Sequence, residues 1–512
     1  MHNLVCAWSR LSVLAILTAA CGGPDAPPGA DAGPVAITCA DPPVALRGVA
    51  PAAVAWAVEA TAPSELVDLA VLDDGVALVT ATTTAPLELA GVAVAATGPK
   101  PTLVAIAVDA AGHGAWGQAL LRGDADGARA VAAGGGDAWV AIFARGDVVL
   151  DPAGAARPLT LAPVDLTLLL VRAGPAGVTL VATLTGGLDW TVLALAPTPT
   201  GGVLIGGAIV GDALTITTTG APQAYPTGQP GEPGHGWFAA LDAAGRVRQV
   251  QAITGTATSA VTTLLARPDG EVAVAGRYGS FPRGQLATFG QPPASRDLVS
   301  ASSDDDPAAD AFVARYADAG TLLDATRVIS YENGPTPVPL AELDGQLVAQ
   351  VTARAYDLTF DVAPAPWVIP AAATITYALG AWAADGGFAW ARASAAFDLL
   401  ASGRGAALVE GVGAWVAQPG TAAELAVTLP PALSNLVLVD LDGDGAVAGA
   451  RHAGFERAPQ VRLGQVTVRP GCGARWFTAA SATGPATLVG STTQATSPAA
   501  DGRVVLFGLT AD

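Results

Sequence analysis

An all-β fold made from one repeated unit is what this sequence predicts, and three observations carry the prediction. Runs of Val, Leu, Ala, Thr and Phe of strand length recur from end to end, separated by Gly-bearing turns. The stretch from Pro268 to Val328 displays the unit in full: PDGEVAVAGRY, a long polar excursion, then DAFVARYADAGTLLDATRV, or turn, strand, excursion, strand, Gly turn, strand. Variants of that pattern fill the 512 residues, which is the signature of a repeat architecture.

The chain opens with a secretory signal over residues 1–20, in which Arg10 precedes the apolar run LSVLAILTAA. The run is too short to span a membrane as a helix. It ends in LTAA directly before Cys21, and GGPDAPPGADAGP follows. This resembles the lipobox of bacterial lipoproteins. The resemblance implies that Cys21 is lipidated and becomes the mature N-terminus. It also implies an outer-membrane address, because Gly22 stands where Asp marks inner-membrane retention. An ordinary signal peptide beside a stray cysteine is the plainer reading of the same run. Residues 21–34 hold no large apolar side chain, so they read as a flexible tether, with the folded domain expected over 35–512.

Of the four cysteines, Cys6 leaves with the signal and Cys21 takes the lipid. Cys39 and Cys472 remain, one near each end of the folded region. In an exported, oxidising setting such a pair forms a disulfide or stays as two buried thiols. A bridge closing so long a loop stabilises by on the order of 4 to 5 kcal/mol on chain-entropy grounds.

Within the folded region each unit starts with a turn marked by Gly75, Gly136, Gly202, Gly270, Gly345, Gly405 or Gly484. A second turn follows about forty residues later, marked by Gly112, Gly177, Gly245, Gly320, Gly387 or Gly445. Each unit thus has a strand before and after each turn. Seven repeats of four antiparallel strands predict a seven-bladed β-propeller. The pattern resembles the propeller repeats of secreted bacterial proteins, whose consensus runs roughly DGNVYVTG, then DAFVAKLDSDGNVLWAKQ. There are seven first turns but only six second ones. The last unit stops before its fourth strand, while AVAWAVEATA at 53–62 has no strands before it. Its Trp56 matches Trp116 and Trp390, so the N-terminal strand is expected to complete the last blade and close the ring.

Composition excludes several functions. Charged residues are 13%, and the net charge is -19. Such a surface repels phosphate backbones and offers no basic patch to anionic lipid. The mean hydropathy of +0.45 comes from Ala and Val rather than from long runs of Leu, Ile and Phe. Aromatics at 5% are too few for the two girdles of an outer-membrane barrel.

Candidate chemistry is sparse. DLDGDG places Asp440, Asp442 and Asp444 at calcium-loop spacing, but Arg451 stands where the bidentate Glu belongs. An acidic hairpin turn is the alternative to calcium. Asp304, Asp305, Asp306 and Asp310 lie in the longest excursion, about 279–310, and long loops on rigid scaffolds carry binding; a solvated charge run is the plainer reading. His113, His235 and His452 lack metal-ligand spacing, and GxSxG, HExxH and GxxxxGK[ST] are absent from the sequence. Trp139, Trp237, Trp382 and Trp415 are candidates for glycan stacking if they emerge on one face. The sequence therefore points to a monomeric, lipid-anchored envelope domain that binds or scaffolds an envelope protein or a glycan. A hydrolase or lyase with its site in the axial channel is the alternative.

Overall fold

The computed structural model describes residues 48–510, except 73–74, 97, 219, 229–233, 280–283, 302–308, 319, 333–339, 344, 355–356, 371–374, 395–406, 410–411, 418–419, 423–426, 430–432, 442, 445–446, 457–461, 471–474, 484, 491–493 and 498–500. Among the described residues every regular element is a β-strand. The fold is all-β, and its repeated unit is a four-stranded antiparallel sheet.

Unit 1 consists of Ser64–Val71, Ala77–Thr83, Thr102–Val108 and the first half of Gly114–Gly134. The second half of that long strand opens unit 2, followed by Asp137–Leu150, Thr167–Gly174 and Gly177–Thr185. Unit 3 is Leu188–Pro197, Val203–Ile209, His235–Leu241 and Val247–Ala252. Unit 4 is Ser259–Ala266, Val272–Tyr278, Ala309–Tyr316 and Leu322–Glu332. Unit 5 is Leu340–Leu343, Gln346–Arg354, Ile375–Trp382 and Phe388–Ser394. Unit 6 is Ala407–Val409, Val412–Ala417, Leu433–Leu441 and Val447–Glu456. In the seventh sheet Arg462–Pro470, Arg475–Thr483 and Asp501–Thr510 are joined by Ala53–Glu59 from the start of the chain. Trp56 there faces Gly508 across the pair.

The turns follow one design. In the second turn of unit 1, Asp109 N–H donates to His113 O, Gly112 N–H returns to Asp109 O, and Gly112 takes φ +87°. Asp109 Oδ1 caps the turn by accepting from Ala111 and His113 N–H. Asp242 repeats this cap with Ala244 and Arg246, because a short carboxylate reaches backbone two residues on. In two turns the left-handed residue is the neighbour of the glycine marked in the sequence: Gly201 rather than Gly202, and Gly386 rather than Gly387. Sequence spacing cannot choose within a Gly–Gly pair.

Two features go beyond the four-strand pattern. Each unit inserts a hairpin between its second and third strands: Leu87–Leu89 with Val92–Val94, the far end of Asp137–Leu150 with Arg157–Thr160, and Ala213–Thr217 with Gln223–Pro226 in units 1 to 3. Leu286–Gln291 with Ala294–Val299, Leu358–Asp361 with Trp367–Ile369, Gly420–Ala422 with Val427–Leu429, and Ala486–Val489 with Gln494–Ser497 follow. Further, Gly48–Pro51 pairs in parallel with the fourth strand of unit 6 before the chain crosses to the seventh sheet.

The hairpins tie neighbouring units together. The hairpin of unit 3 pairs with the fourth strand of unit 2, that of unit 5 with unit 4, and that of unit 7 with unit 6. Units 1 and 2 join through Leu121 and Arg122 opposite Leu150 and Val149, and units 3 and 4 through reciprocal bonds between Thr254 and Thr288. The hairpin of unit 1 meets the segment after Ala53–Glu59, with Thr61 N–H donating to Glu88 O at 2.9 Å. At the opposite end of the sheets, fourth-strand side chains reach the next unit's second turn. Trp56 Nε1 donates to Ala110 O at 3.0 Å and Trp390 Nε1 to Gly443 O at 2.9 Å. Gln118 and Gln251 do the same to Gly174 O and Gly320 O, each at 3.1 Å.

Apolar side chains fill the spaces between consecutive sheets. Phe477 and Leu506 pack with Leu66 and Ile106 between units 7 and 1, and Leu78 with Val140 and Leu169 between units 1 and 2. Trp139 and Leu170 pack with Ile205 and Trp237, Phe238 with Val274 and Phe312, and Val313 with Phe360 and Trp382 across the next three spaces. Small residues allow the approach: a Cβ on Gly508 would lie 2.3 Å from Trp56, and one on Gly112 2.8 Å from the same ring.

Removing residues 1–60 leaves Asp501–Thr510 as an open edge, which invites pairing with other chains. The shortened chain is expected to self-associate by size-exclusion chromatography with light scattering, and a synthetic peptide of residues 48–62 to restore the monomer. A shortened chain that stays monomeric with unchanged melting would show that this strand seals nothing.

Candidate functional site

Antiparallel alternation divides each sheet into two ends with different chemistry. Both glycine turns leave from one end, and the hairpin excursions and unit-to-unit crossings leave from the other.

The turn end carries a buried ion network. Glu271, in the first turn of unit 4, accepts from Arg315 Nε and Nη2 at 2.7 Å each and from Arg267 Nη1 at 3.2 Å. Arg315 also donates to Ala384 O at 2.9 Å and Arg267 to Gly345 O at 2.8 Å. Both acceptors belong to turns of unit 5, so the network fastens unit 4 to unit 5. Burial acts to raise the Glu271 carboxyl, but the bidentate Arg315 and the adjacent Arg267 outweigh it and hold it below the ordinary carboxylate value. All three side chains are buried, and Arg267 also pairs with Glu342 of unit 5 at 3.5 Å.

The excursion end is less saturated. Asp310 is the second residue of the third strand of unit 4, Ala309–Tyr316, and is 1% exposed. Its Oδ2 accepts from Ala301 N–H at 2.7 Å, while its Oδ1 has no hydrogen-bond partner. Burial pushes the carboxyl up to about 6, against the opposing pull of the Ala301 bond and of Arg327. Tyr278, its register partner, is driven well above the usual phenol range by burial and then by the Asp310 charge. Tyr278 and Arg327 both donate to Val299 O, at 3.4 and 2.7 Å, and Arg327 pairs with Asp361 at 2.7 Å. Thr102, Thr167 and His235 open the third strands of units 1, 2 and 3 and are likewise buried. The start of a third strand, its first position in units 1 to 3 and its second in unit 4, therefore takes a buried polar side chain in four successive units.

Large apolar side chains are also exposed on the excursions. Among the described residues Val164, Val210, Val299, Trp367 and Val368 lie in excursions, and Leu323, on a fourth strand, is the sixth such residue. Trp367 stands on the edge of its hairpin against Phe388, with ring centroids 5.9 Å apart. A cavity of about 210 Å³ opens at the same end between units 1 and 2, lined by Thr82, Pro101, Asp124, Asp126 and Arg145. That is below the roughly 300–1,000 Å³ of sites for drug-sized ligands.

Of the residues singled out from the sequence, Asp310 sits in the excursion end but is buried under it rather than displayed; Asp304, Asp305 and Asp306 lie outside the described residues. Asp440 is in the third strand of unit 6 opposite Gly449, Asp444 is exposed in the following turn, and Asp442 lies outside the described residues. The carbonyl oxygens of that turn are engaged by unit 5, Gly443 O by Trp390 and Asp444 O by Arg392. Cys21, Cys39 and Cys472 also lie outside. Trp139, Trp237 and Trp382 are interior, each 1% exposed, and Trp415 is in the second strand of unit 6. His113 is at an exposed turn, 3.7 Å from Asp109. Sequence reasoning missed the Arg267–Glu271–Arg315 network, although Glu271 and Arg315 stand at adjoining ends of the paired strands EVAVAGR and DAFVAR.

Compared with known proteins, the chain matches no family model and no curated protein.

Glu271→Gln leaves buried Arg315 without its bidentate counter-charge and Arg267 with Glu342 alone, a loss of about 3–5 kcal/mol for a broken buried pair, readable in urea unfolding. The depressed carboxyl of Glu271 adds stability that is present above its unfolded value and lost as pH falls through the lower folded value. The native-minus-variant difference is therefore expected to shrink in acid. A difference that does not change down to pH 3 would contradict the assignment.

Proposed function

We propose that this chain is a lipid-anchored, seven-bladed β-propeller of the cell envelope that works as a binding module, taking a protein partner on the excursion end of its blades. The carrying observation is where exposed apolar surface lies: among the described residues, five of the six exposed large hydrophobic side chains belong to excursions. Solvent-facing apolar groups concentrated on one class of element are what a docking surface presents. The propeller reading is supported by the order of contacts among first strands. The first strand of each unit touches that of the next, from unit 1 through unit 7, and unit 7 touches unit 1 again. The pairing of Ala53–Glu59 with the seventh sheet supports closure by the chain's own beginning. The anchor rests on the run LTAAC at residues 17–21.

A protein partner fits better than a glycan. Three of the four tryptophans that could have stacked on sugar rings are interior, and the exposed Trp367 packs its ring against Phe388 beside exposed Val368.

Crosslinking on intact cells, followed by capture and mass spectrometry, tests the reading. A recurrent envelope protein is expected with the native chain and is expected to be lost with Val210→Ser, Val299→Ser and Trp367→Ser combined, at unchanged melting temperature. Leu323→Ser, off the excursions, should retain it. Capture that survives the triple change, or vanishes with Leu323→Ser, would remove the excursion end as the docking surface. Cys21→Ser should move the protein from the membrane to the soluble fraction; continued membrane retention would remove the lipid anchor.

A further inference from the structure

We propose that the cavity between units 1 and 2 seats one basic side chain, lysine or arginine, of the docking partner, with Asp124 and Asp126 as its counter-charges. The inference rests on the reading of the excursions as a protein-docking surface and adds the partner's chemistry to it.

The backbone builds the cavity. Gly114–Gly134 and Asp137–Leu150 are paired through both units, but their register breaks on either side of Asp124 and Ala125. Arg122 faces Val149 and Asp124 faces Arg145; Ala125 then faces Ala144 while Gly127 faces Phe143. Asp126 is therefore the extra residue of a bulge, and bulges re-aim side chains. Gly123 permits the other break: its φ is +140°, and a Cβ there would lie 2.7 Å from Val148. Gly123, Asp124, Asp126 and Arg145 line the space at these breaks, together with Thr82 and Pro101 of unit 1.

The lining selects charge. Asp126 Oδ1 accepts from Arg145 Nη2 at 3.0 Å, and Asp126 Oδ2 has no hydrogen-bond partner. Asp124 is exposed. Two carboxylates thus meet one guanidinium, which leaves the lining with an excess of negative charge. The other cations of the crossing are directed elsewhere and do not line the cavity. Lys100 Nζ donates to Asp147 O at 3.1 Å, and Arg122 lies over Gly98, where a Cβ would be 3.6 Å from its Nη1.

Size and place fit a side chain. About 210 Å³ is the share of roughly seven waters in the liquid, room for one long side chain. Gly146, next to Arg145, donates to Ala162 O at 3.1 Å, and Val164, 80% exposed, follows two residues on. An exposed aliphatic group of the docking surface therefore stands within a few residues of the acidic lining, and interfaces are anchored where a pocket takes one side chain beside apolar contact. With 44 acidic against 25 basic residues, the field of the whole chain steers a basic partner toward it.

Ligand-observed NMR on the full chain tests the seat, with acetyl-Gly-Lys-Gly-amide, acetyl-Gly-Arg-Gly-amide and the uncharged acetyl-Gly-norleucine-Gly-amide as probes. The basic peptides are expected to bind, about three- to fivefold more weakly in Asp124→Asn, as for an exposed ion pair, and less as salt rises from about 20 to about 500 mM. Asp318→Asn, which removes an exposed acid at the turn end, is expected to leave binding unchanged, and the norleucine peptide is expected not to bind. Equal binding of the norleucine and lysine peptides, equal loss in the two variants, or native-strength binding by Asp124→Asn overturns the proposal. If Asp124→Asn does not fold, the norleucine comparison and the salt dependence of the native chain decide. Absence of binding at low salt also overturns it, and leaves the docking surface standing if an envelope protein is still captured by crosslinking. Selective binding of the basic peptides with no envelope protein captured supports the seat and fails the docking reading.

Discussion

A β-sheet that ends in solvent leaves a row of unmet backbone donors and acceptors, and the disposal of those edges is the constraint on which this structure depends. Every unit here is a small antiparallel sheet with an outward fourth strand. In units 2, 4 and 6 the next unit's excursion hairpin pairs with that strand: Thr215–Thr217 against Thr183–Thr185, Thr359–Asp361 against Arg327–Ile329, and Leu488–Val489 against Gly454–Phe455. The chain's beginning supplies the fourth strand of the last sheet and, through Gly48–Pro51, covers part of the edge of the one before it. Hairpins that look like decoration within one unit are sealing strands for the unit before it.

The two ends of the sheets resolve polarity differently. At the turn end, carboxylates and guanidiniums meet each other or backbone carbonyls: Glu271 with two arginines, Trp56 and Trp390 with turn carbonyls, Asp109 and Asp242 with their own loops. A buried pair of this kind adds less net stability than its Coulomb energy suggests but costs heavily when broken, so it fixes register between units. At the excursion end Asp310 is buried with one oxygen unmet, and on the excursions themselves Trp367, Val368 and Val210 face solvent. The turn end fixes the scaffold and the excursion end varies on it.

Much of the scaffold was legible because turn chemistry is local. The Asp-Ala-Ala-Gly turns, the one-short count of second turns and the shared tryptophans of AVAWAVEA and GFAWARAS pointed to four strands per unit and to a displaced first strand. The tryptophan match has a physical basis: Trp56 and Trp390 donate to the same position of the next unit's second turn, Ala110 O and Gly443 O. Trp116 breaks the rule. It packs against the core between units 1 and 2, and Gln118, two residues on, makes the equivalent bond. The hairpins were illegible because strands of three to six residues with partners in another unit carry no internal pattern. The burial of Asp310 was equally hidden: in sequence it continues an acidic run, and only its register opposite Tyr278 separates it from its neighbours.

That separation alters how the acidic excursion is understood. Residues four to six positions before Asp310 share its chemistry, yet a side chain on a strand faces one side of a sheet by parity, and parity turns Asp310 toward the aromatic layer of Tyr278, Phe289 and Phe312. A threonine meets the same demand in units 1 and 2 and a histidine in unit 3, so the position asks for a polar group under the excursion rather than for an acid. An ionisable group in a place that a hydroxyl fills elsewhere is an avoidable cost in stability at neutral pH. It stands in unit 4, under the hairpin Leu286–Val299, where burial rather than a counter-charge sets its state.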